Sequence, residues 1–210
     1  MKLRTLLCLA PLFAAVTAQA APVTISFDAP VGTYVPTPGT IQNVKNEFSS
    51  LGIVFQDVAD PTKGVTLGKC GPGNGPVALF GYGNDFPGCG NTRPNFDILF
   101  VDPSQPGNGA YTTAFSIFDT DGLIRISAYD ALNNLLGQTQ AFNGTLSLSG
   151  IGNISRVNVQ SIDLDPTTLD DVSFEAVTPL ASGNVPEPAS IALLGLGALG
   201  MGALRRKNKA

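Results

Sequence analysis

The residues able to do chemistry in this 210-residue sequence are mainly carboxylates, because the chain contains no histidine. Ser-His-Asp and Cys-His nucleophile systems and most catalytic zinc sites are therefore excluded. A glycosidase would need two acids about 5–10 Å apart across a cleft. Asp170 and Asp171 are adjacent at the start of a predicted strand, so their side chains tend to opposite faces. We therefore expect no enzyme, and a small carboxylate-dependent hydrolase is kept as an alternative.

The chain begins with the pattern of a secretory signal peptide. Lys2 and Arg4 precede an apolar run from Leu6 to Val16, and Ala18-Gln19-Ala20 then provides a small-x-small cleavage pattern. A retained anchor helix is the alternative, but the run is short and a cleavage pattern follows it. We predict a signal peptide over residues 1–20 and a mature chain from Ala21.

The C-terminal end has three consecutive parts. Val185-Pro186-Glu187-Pro188 is followed by the uncharged apolar run Ile191–Leu204 and then by the basic cluster Arg205–Lys209. The prolines prevent a helix from continuing out of the preceding domain. As a helix the run would be about 21 Å long, against a hydrocarbon core of roughly 30 Å. We predict a C-terminal transmembrane helix that anchors the chain transiently, with a buried core helix as the alternative.

The order and lengths of these three parts resemble the PEP-CTERM sorting signal of secreted proteins from Gram-negative bacteria. The resemblance covers residues 185–210. It implies that exosortase, a membrane-embedded transpeptidase-like enzyme, recognises and cuts the chain near Val185-Pro186-Glu187-Pro188. It also implies a transient inner-membrane anchor through residues 191–204, followed by the cell surface or the extracellular polysaccharide of a biofilm.

The segment between the two ends is strongly acidic. Residues 21–184 carry six basic and fifteen acidic side chains, which gives a net charge near −9. Such a domain repels phosphate backbones, so nucleic acid is not expected as a partner. Cations and neutral polymers such as extracellular polysaccharide remain possible partners.

Two cysteines remain in the predicted mature chain. Cys70 and Cys89 lie in one glycine-rich stretch of a chain bound for an oxidising compartment, so we predict a disulfide between them. Two free thiols are the alternative. Aromatic residues of the same stretch, Tyr82 and Phe86, could stack on a sugar ring as glycan contacts. Packing of these rings as a small core beneath the loop is the other interpretation.

The central segment reads as short strands separated by turns. Apolar residues alternate in 23–28 and again in 171–177, and a short helix is predicted over 43–51. Asp119-Thr120-Asp121-Gly122 and Asn143-Gly144 each predict a hairpin turn. About eight to ten short strands with almost no helix indicate an all-β sandwich or barrel. We place this domain at 21–178 and a linker at 179–184.

Scattered short motifs of this domain resemble the jelly-roll β-sandwich of many PEP-CTERM proteins. They include Phe27-Asp28, Leu51-Gly52-Ile53-Val54-Phe55 and the closing Leu169–Glu175. The plan is similar to galactose-binding-like and carbohydrate-binding modules. The resemblance implies a jelly-roll-like fold and, as an alternative function, a carbohydrate-binding module with a defined glycan ligand.

A structural calcium ion is suggested by the same resemblance. The first and last strands of a jelly roll often lie close together, and calcium prefers carboxylate and carbonyl oxygens. By analogy with similar sandwiches, Asp28, Asp170 and Glu175 are the candidate ligands. Ordinary solvent-facing acids are the other interpretation of these three residues.

Overall fold

The structure is a computed structural model that describes residues 21–27, 31, 41–69, 77–81, 94–163 and 168–180. The described part is all-β and dominated by sheet, with one 3-10 helix at Ser49–Leu51. The strands are β1 (Val23–Ile25), β2 (Ile41–Val44), β3 (Ile53–Asp57), β4 (Val65–Lys69), β5 (Val77–Gly81), β6 (Asn95–Asp102), β7 (Gln105–Tyr129), β8 (Leu135–Ile154), β9 (Arg156–Ser161), β10 (Thr168–Phe174) and β11 (Thr178–Pro179).

The two longest strands, β7 and β8, form an antiparallel ribbon to which the other strands of the main sheet attach. On one side of β7, β10 pairs with its first half and β9 pairs with its second half. β8 pairs with β7 along the other side. The order β1-β10-β7-β9-β6-β3 completes the main sheet, and β2-β4-β5 form a separate three-stranded sheet.

The ribbon contains a large irregularity near its middle. Asp119 lies opposite Gly144 and Leu123 lies opposite Phe142, so three residues of β7 face the single residue Asn143 of β8. The backbone N–H of Asn143 donates to Asp119 Oδ2 at 3.2 Å, and Asp119 is fully buried. Extra residues in one strand of a pair increase the local bend and twist.

The two hairpin turns predicted from the sequence are therefore wrong. Both turn motifs lie inside continuous strands, at the same level of the ribbon. Gly122, Asn143 and Gly144 have φ angles of 95°, 54° and 119°. A bulge requires the same left-handed backbone as a tight turn, so the residue types that favour one also favour the other.

The halves of the ribbon contribute to two layers that face each other. The Phe100 ring of β6 packs edge to face against Phe174 of β10 and against Phe115 in the first half of β7. The distances between ring centroids are 5.4 Å and 6.2 Å, respectively. Phe100 belongs to the strands that pair with the second half of β7, through β9. Contact between rings of both layers is consistent with a β-sandwich, and a jelly-roll-like plan fits this arrangement.

Burial confirms the alternating apolar pattern predicted for residues 23–28 and 171–177. Ile25 and Phe27 at the start of the domain, and Val172 and Phe174 near its end, are almost completely buried. β1 pairs with β10, with Ile25 opposite Val172. The predicted helix over 43–51 is mostly wrong, because Val44 ends a strand and the helical part is the 3-10 turn.

The predicted terminal helices and cysteine pair lie outside the described residues, as do residues 1–20, 185–210, Cys70 and Cys89. Within the described ranges, no helix has the length and apolar character needed to cross a membrane. At the C-terminal side, Thr178 and Pro179 pair with Tyr111 and Ala110 of β7. The described sheet therefore includes residues up to Pro179.

Candidate functional site

A cleft of about 410 Å³ opens at one end of the β7–β8 ribbon. The β6–β7 connection, the β7–β8 loop and the start of β9 meet there. Its floor and walls are mostly apolar and include Phe100, Ala110 and Leu180. Its polar lining consists of Asn46, Asn108, Asp130, Asn133, Ser155 and Arg156. Apolar walls with a few convergent polar groups are typical of a small-ligand site.

Asp130 organises the β7–β8 loop that forms one wall of the cleft. Its Oδ1 accepts the backbone N–H groups of Leu132 and Asn134, both at 2.8 Å, and its Oδ2 accepts Asn134 Nδ2 at 2.9 Å. The side-chain bond from Asn134, followed by the backbone bond from the same residue, lowers the pKa of Asp130. Hydrogen bonds to the ionised form stabilise it, so the carboxylate is charged at neutral pH.

Arg156 lies at the start of β9 and is held from two directions. Its Nη1 lies 3.0 Å from Asp97 Oδ1, in a half-buried ion pair. Its guanidinium carbon lies 3.9 Å from the centre of the Tyr129 ring, a cation–π arrangement. A guanidinium fixed by an acid and a ring is pre-organised, so a ligand would meet it without much loss of side-chain entropy.

Ser155 is the unusual residue of the cleft. Its backbone is fixed, since its N–H donates to Tyr129 O at 2.8 Å and its O accepts the Phe100 N–H at 3.0 Å. Its Oγ is buried but has no hydrogen-bond partner among the described residues. Buried hydroxyls normally have a partner, and an unmet one costs about 1–3 kcal/mol. A bound water or ligand oxygen would satisfy it.

Two further clefts lie in the described structure. One, of about 450 Å³, shares Asp130, Ser155 and Leu180 with the first and is also lined by Leu136 and Asn153 of β8. The other, of about 320 Å³, is lined by Glu175 and by serines of β7, β8 and β10. Each of these three clefts has one carboxylate in its lining.

The predicted calcium ligands Asp170 and Glu175 are not brought together. Asp170 lies opposite Phe118, and the Glu175 N–H donates to Ala114 O. Four residues of β7 separate these levels, or about 13 Å along the strand. Calcium–oxygen distances are about 2.3–2.6 Å. Within the described ranges, no group of three His, Cys, Asp or Glu side chains is placed to hold a metal ion.

The two acids have other contacts. The Asp171 N–H donates to Asp170 Oδ1 at 2.8 Å, and Thr113 Oγ1 donates to Glu175 Oε2. The third predicted ligand, Asp28, lies outside the described residues, so the calcium site as a whole stays a prediction. The predicted glycan contacts Tyr82 and Phe86 also lie outside the described residues and stay predictions.

The Ser155–Arg156 site was missed by sequence reasoning. A signal was present in Asp130 and Asn134, because Asp and Asn at the ends of a short loop favour side-chain bonds to its backbone. Nothing in the local sequence indicates that Arg156 meets Asp97, which is 59 residues earlier.

Comparison with solved structures gives one weak likeness, to an oxalate decarboxylase of Lactobacillus farciminis in its formate complex. The identity is 13% and the TM-score 0.25, over 83% of this chain and 40% of that chain. The aligned part is thus less than half of the decarboxylase, and a TM-score this low supports no conclusion about fold or function.

No curated protein matches the chain. The family model of the PEP-CTERM protein-sorting motif matches residues 184–207. This range contains Val185-Pro186-Glu187-Pro188, the apolar run and the start of the basic cluster, in the order expected from the sequence. Residues 184–207 of this chain are therefore a PEP-CTERM protein-sorting motif.

Proposed function

We propose that the chain is an exported, non-enzymatic protein of the cell surface or extracellular matrix, delivered by its C-terminal motif. The sorting motif at residues 184–207 is the observation that carries this proposal. The motif implies export, passage through a membrane-anchored stage and processing by exosortase. The final location and the polysaccharide matrix as surroundings are part of the proposal.

The positions of the carboxylates in the clefts support a non-enzymatic role. A glycosidase pair needs two carboxyl groups facing each other across one cleft. Each cleft described above contains a single carboxylate, and the chain has no histidine to serve as a base. Asp130 is engaged by three hydrogen bonds that hold a loop, which is a structural use of its charge.

Intact-mass spectrometry of the protein from surface and culture fractions tests the processing step. We expect a mature chain that begins at Ala21 and ends near Pro186–Pro188. A matched strain that carries Pro186→Ala and Pro188→Ala should accumulate the uncut chain in the membrane fraction. A wild-type chain that still ends at Ala210 in the surface fraction would contradict processing.

A second candidate function is glycan binding by the Ser155–Arg156 cleft. The unpartnered Ser155 Oγ favours it, because a sugar hydroxyl can both donate to it and accept from it. Asn108 and Asn133 add amide groups of the kind that bind sugar hydroxyls, and Arg156 is held rigidly beside them. The jelly-roll-like plan is compatible with such a module.

Ser155→Ala tests whether this cleft binds a glycan. We expect the substitution to reduce glycan-array binding by about tenfold, the loss of one good hydrogen bond in a dry site. It should leave stability unchanged or raised by about 1 kcal/mol, because a buried unmet hydroxyl is removed. Ser147→Ala, at an exposed serine of β8, is the control and should change neither.

The same experiment also tests Tyr82 and Phe86, the glycan contacts predicted from the sequence. If Tyr82→Ala and Phe86→Ala abolish binding while Ser155→Ala does not, the glycan site lies on the glycine-rich loop. Absence of binding by the wild-type chain to every glycan on the array would remove this second function and leave the matrix role.

A further inference from the structure

β8 is a long edge strand that carries no charge. Within the described residues, β8 pairs with β7 alone, so its other side is an edge of the described sheet. Its twenty residues, Leu135–Ile154, include no Asp, Glu, Lys, Arg or Pro. Natural sheet edges are usually protected from pairing with another chain by charges, by proline or by their shortness.

The other edges of the main sheet have such protection. β1 is only three residues long. On β3, the Phe55 N–H donates to Lys45 O at 2.9 Å, so part of that edge is already occupied. β8 is therefore the edge of the described sheet that is most available to a further strand.

The charge distribution favours a second copy of this chain as the occupant. With a net charge near −9 over residues 21–184, two copies repel each other over most of their surfaces. An uncharged edge is a place where they can approach without facing like charges. The chain is uncharged from Ala131 to Ser155, which is much longer than the strand pairing needs.

The first half of β8 also exposes apolar side chains. Leu135 is 55% exposed and Phe142 is 57% exposed, while Leu132 in the adjoining loop is 82% exposed. The second half differs, since its exposed positions Thr145 and Ser147 are polar and small. Association would therefore bury more apolar area along 135–142 than along 145–149.

We propose that the first half of β8 is a self-association edge, in which residues 138–142 pair antiparallel with the same residues of a second copy about a two-fold axis. Gln138, Gln140 and Phe142 are exposed on one face of the strand, whereas Thr139 and Ala141 on the other face are half-buried. A two-fold axis through Gln140, perpendicular to the sheet, puts the exposed faces of both copies on the same side of the joined sheet. It places Gln140 opposite its own copy and Gln138 opposite Phe142.

Arg125 carries a charge on the exposed side of this edge. It lies opposite Gln140 on β7, one strand inward, and its Nη2 donates to Gln160 Oε1. In the paired dimer the Arg125 residues of the two copies are three strand spacings apart, or about 14 Å. This exceeds the Debye length of about 8 Å at physiological salt, so their repulsion is largely screened.

Sedimentation velocity on the full chain in mild detergent, from about 1 to about 100 µM, tests the proposal. We expect a reversible dimer. The double variant Gln138→Lys, Gln140→Lys places four like charges along the seam, with those at position 140 directly opposed. It should weaken dimerisation at least about tenfold. The added lysines make the chain less acidic, so a loss of dimer would not come from greater overall repulsion.

Val58→Lys, Ala59→Lys is the matched control, at two exposed positions of the turn after β3. It adds the same charge and should leave the dimer unchanged. A monomeric wild type, an undisturbed dimer in the β8 variant, or equal weakening in both variants would each overturn the proposal. An undisturbed dimer would assign association to another part of the chain, such as the apolar C-terminal run.

A Gln140→Cys variant provides a check that does not depend on weakening. Directly opposed residues of an antiparallel pair have Cβ atoms about 4.5–5.5 Å apart, close to disulfide range. We expect a disulfide-linked dimer under oxidation, and none for Val58→Cys. Equal crosslinking of both variants, or none at Gln140→Cys, would contradict pairing at this residue.

Discussion

At the scale of single residues, polar side chains of this protein mostly hold loops rather than perform reactions. Asp130 holds the β7–β8 loop, and Asp60 and Asp102 bind hydroxyl and amide groups two residues ahead in the same manner. Ser155 is the exception, since its buried hydroxyl has no partner among the described residues. That contrast is what marks the Ser155–Arg156 cleft as a candidate site.

These loop-holding acids predict how stability depends on pH. Side-chain and then backbone hydrogen bonds from Thr62, Ser104 and Asn134 lower the pKa of Asp60, Asp102 and Asp130, respectively, from 3.8. In the unfolded chain these acids bind protons at higher pH than in the folded chain. The stabilisation is therefore fully present above about pH 4–5 and is lost as pH falls through the folded-state pKa values.

Denaturant unfolding at a series of pH values from about 6 to about 2 measures this effect. We expect the free energy of unfolding to fall with pH over the acid part of the range. Asp130→Asn should make the fall shallower, because one of the titrating groups is then absent. Equal slopes for the two proteins would show that Asp130 does not contribute.

At the scale of elements, the bulge in the β7–β8 ribbon decides the architecture. It allows one pair of strands to supply both layers, with β10 on the first half of β7 and β9 on the second half. The φ angles of Gly122, Asn143 and Gly144 make this possible. The bulge therefore also determines which segment of β8 faces outward as the self-association edge.

Two glycine substitutions test the importance of that backbone. A Cβ at Gly144 or at Gly107 would meet nothing within 4 Å, but Gly144 has a φ of 119° and Gly107 does not have a positive φ. We expect Gly144→Ala to lower the free energy of unfolding by about 1–3 kcal/mol through backbone strain alone. Gly107→Ala should change it by less than about 0.5 kcal/mol.

Thermal or denaturant unfolding of both variants is the measurement. Because steric contact is absent at both positions, the difference between them isolates the conformational cost. An equal effect at the two glycines would mean that the bulge tolerates an ordinary residue and that its backbone is not the feature that bends the ribbon.

At the scale of the whole molecule, an acidic all-β domain is joined to a C-terminal sorting motif at residues 184–207. The sheet uses residues up to Pro179, so few residues separate it from the motif. The uncharged edge of β8 gives the otherwise repulsive domain a route to self-association at its destination.

The predicted Cys70–Cys89 disulfide is a property of the exported chain as a whole, since it depends on the compartment. Closing a loop of about 20 residues should stabilise the fold by about 3 kcal/mol in the chain-entropy model. We expect the free energy of unfolding to fall by about that amount in the double variant Cys70→Ala, Cys89→Ala. Addition of reductant should affect the wild type similarly and leave the variant unchanged.

Much of the strand content could be predicted from the sequence. The apolar alternation in 23–28 and 171–177 indicated the buried faces that contain Ile25 and Val172. These signals depend on residues close together in the chain. The two predicted hairpin turns were wrong because a turn and a bulge need the same backbone conformation, and only the register between β7 and β8 distinguishes them.

By itself, the sequence determined the sorting motif and the all-β character, because both depend on the order and spacing of neighbouring residues. Only the tertiary structure decided that Ser155 and Arg156 meet the β7–β8 loop in a cleft, and that β8 lies at an edge of the described sheet. The Arg156–Asp97 pair joins residues on two different strands. Strand pairing creates contacts of this kind, so the local sequence around each residue does not indicate them.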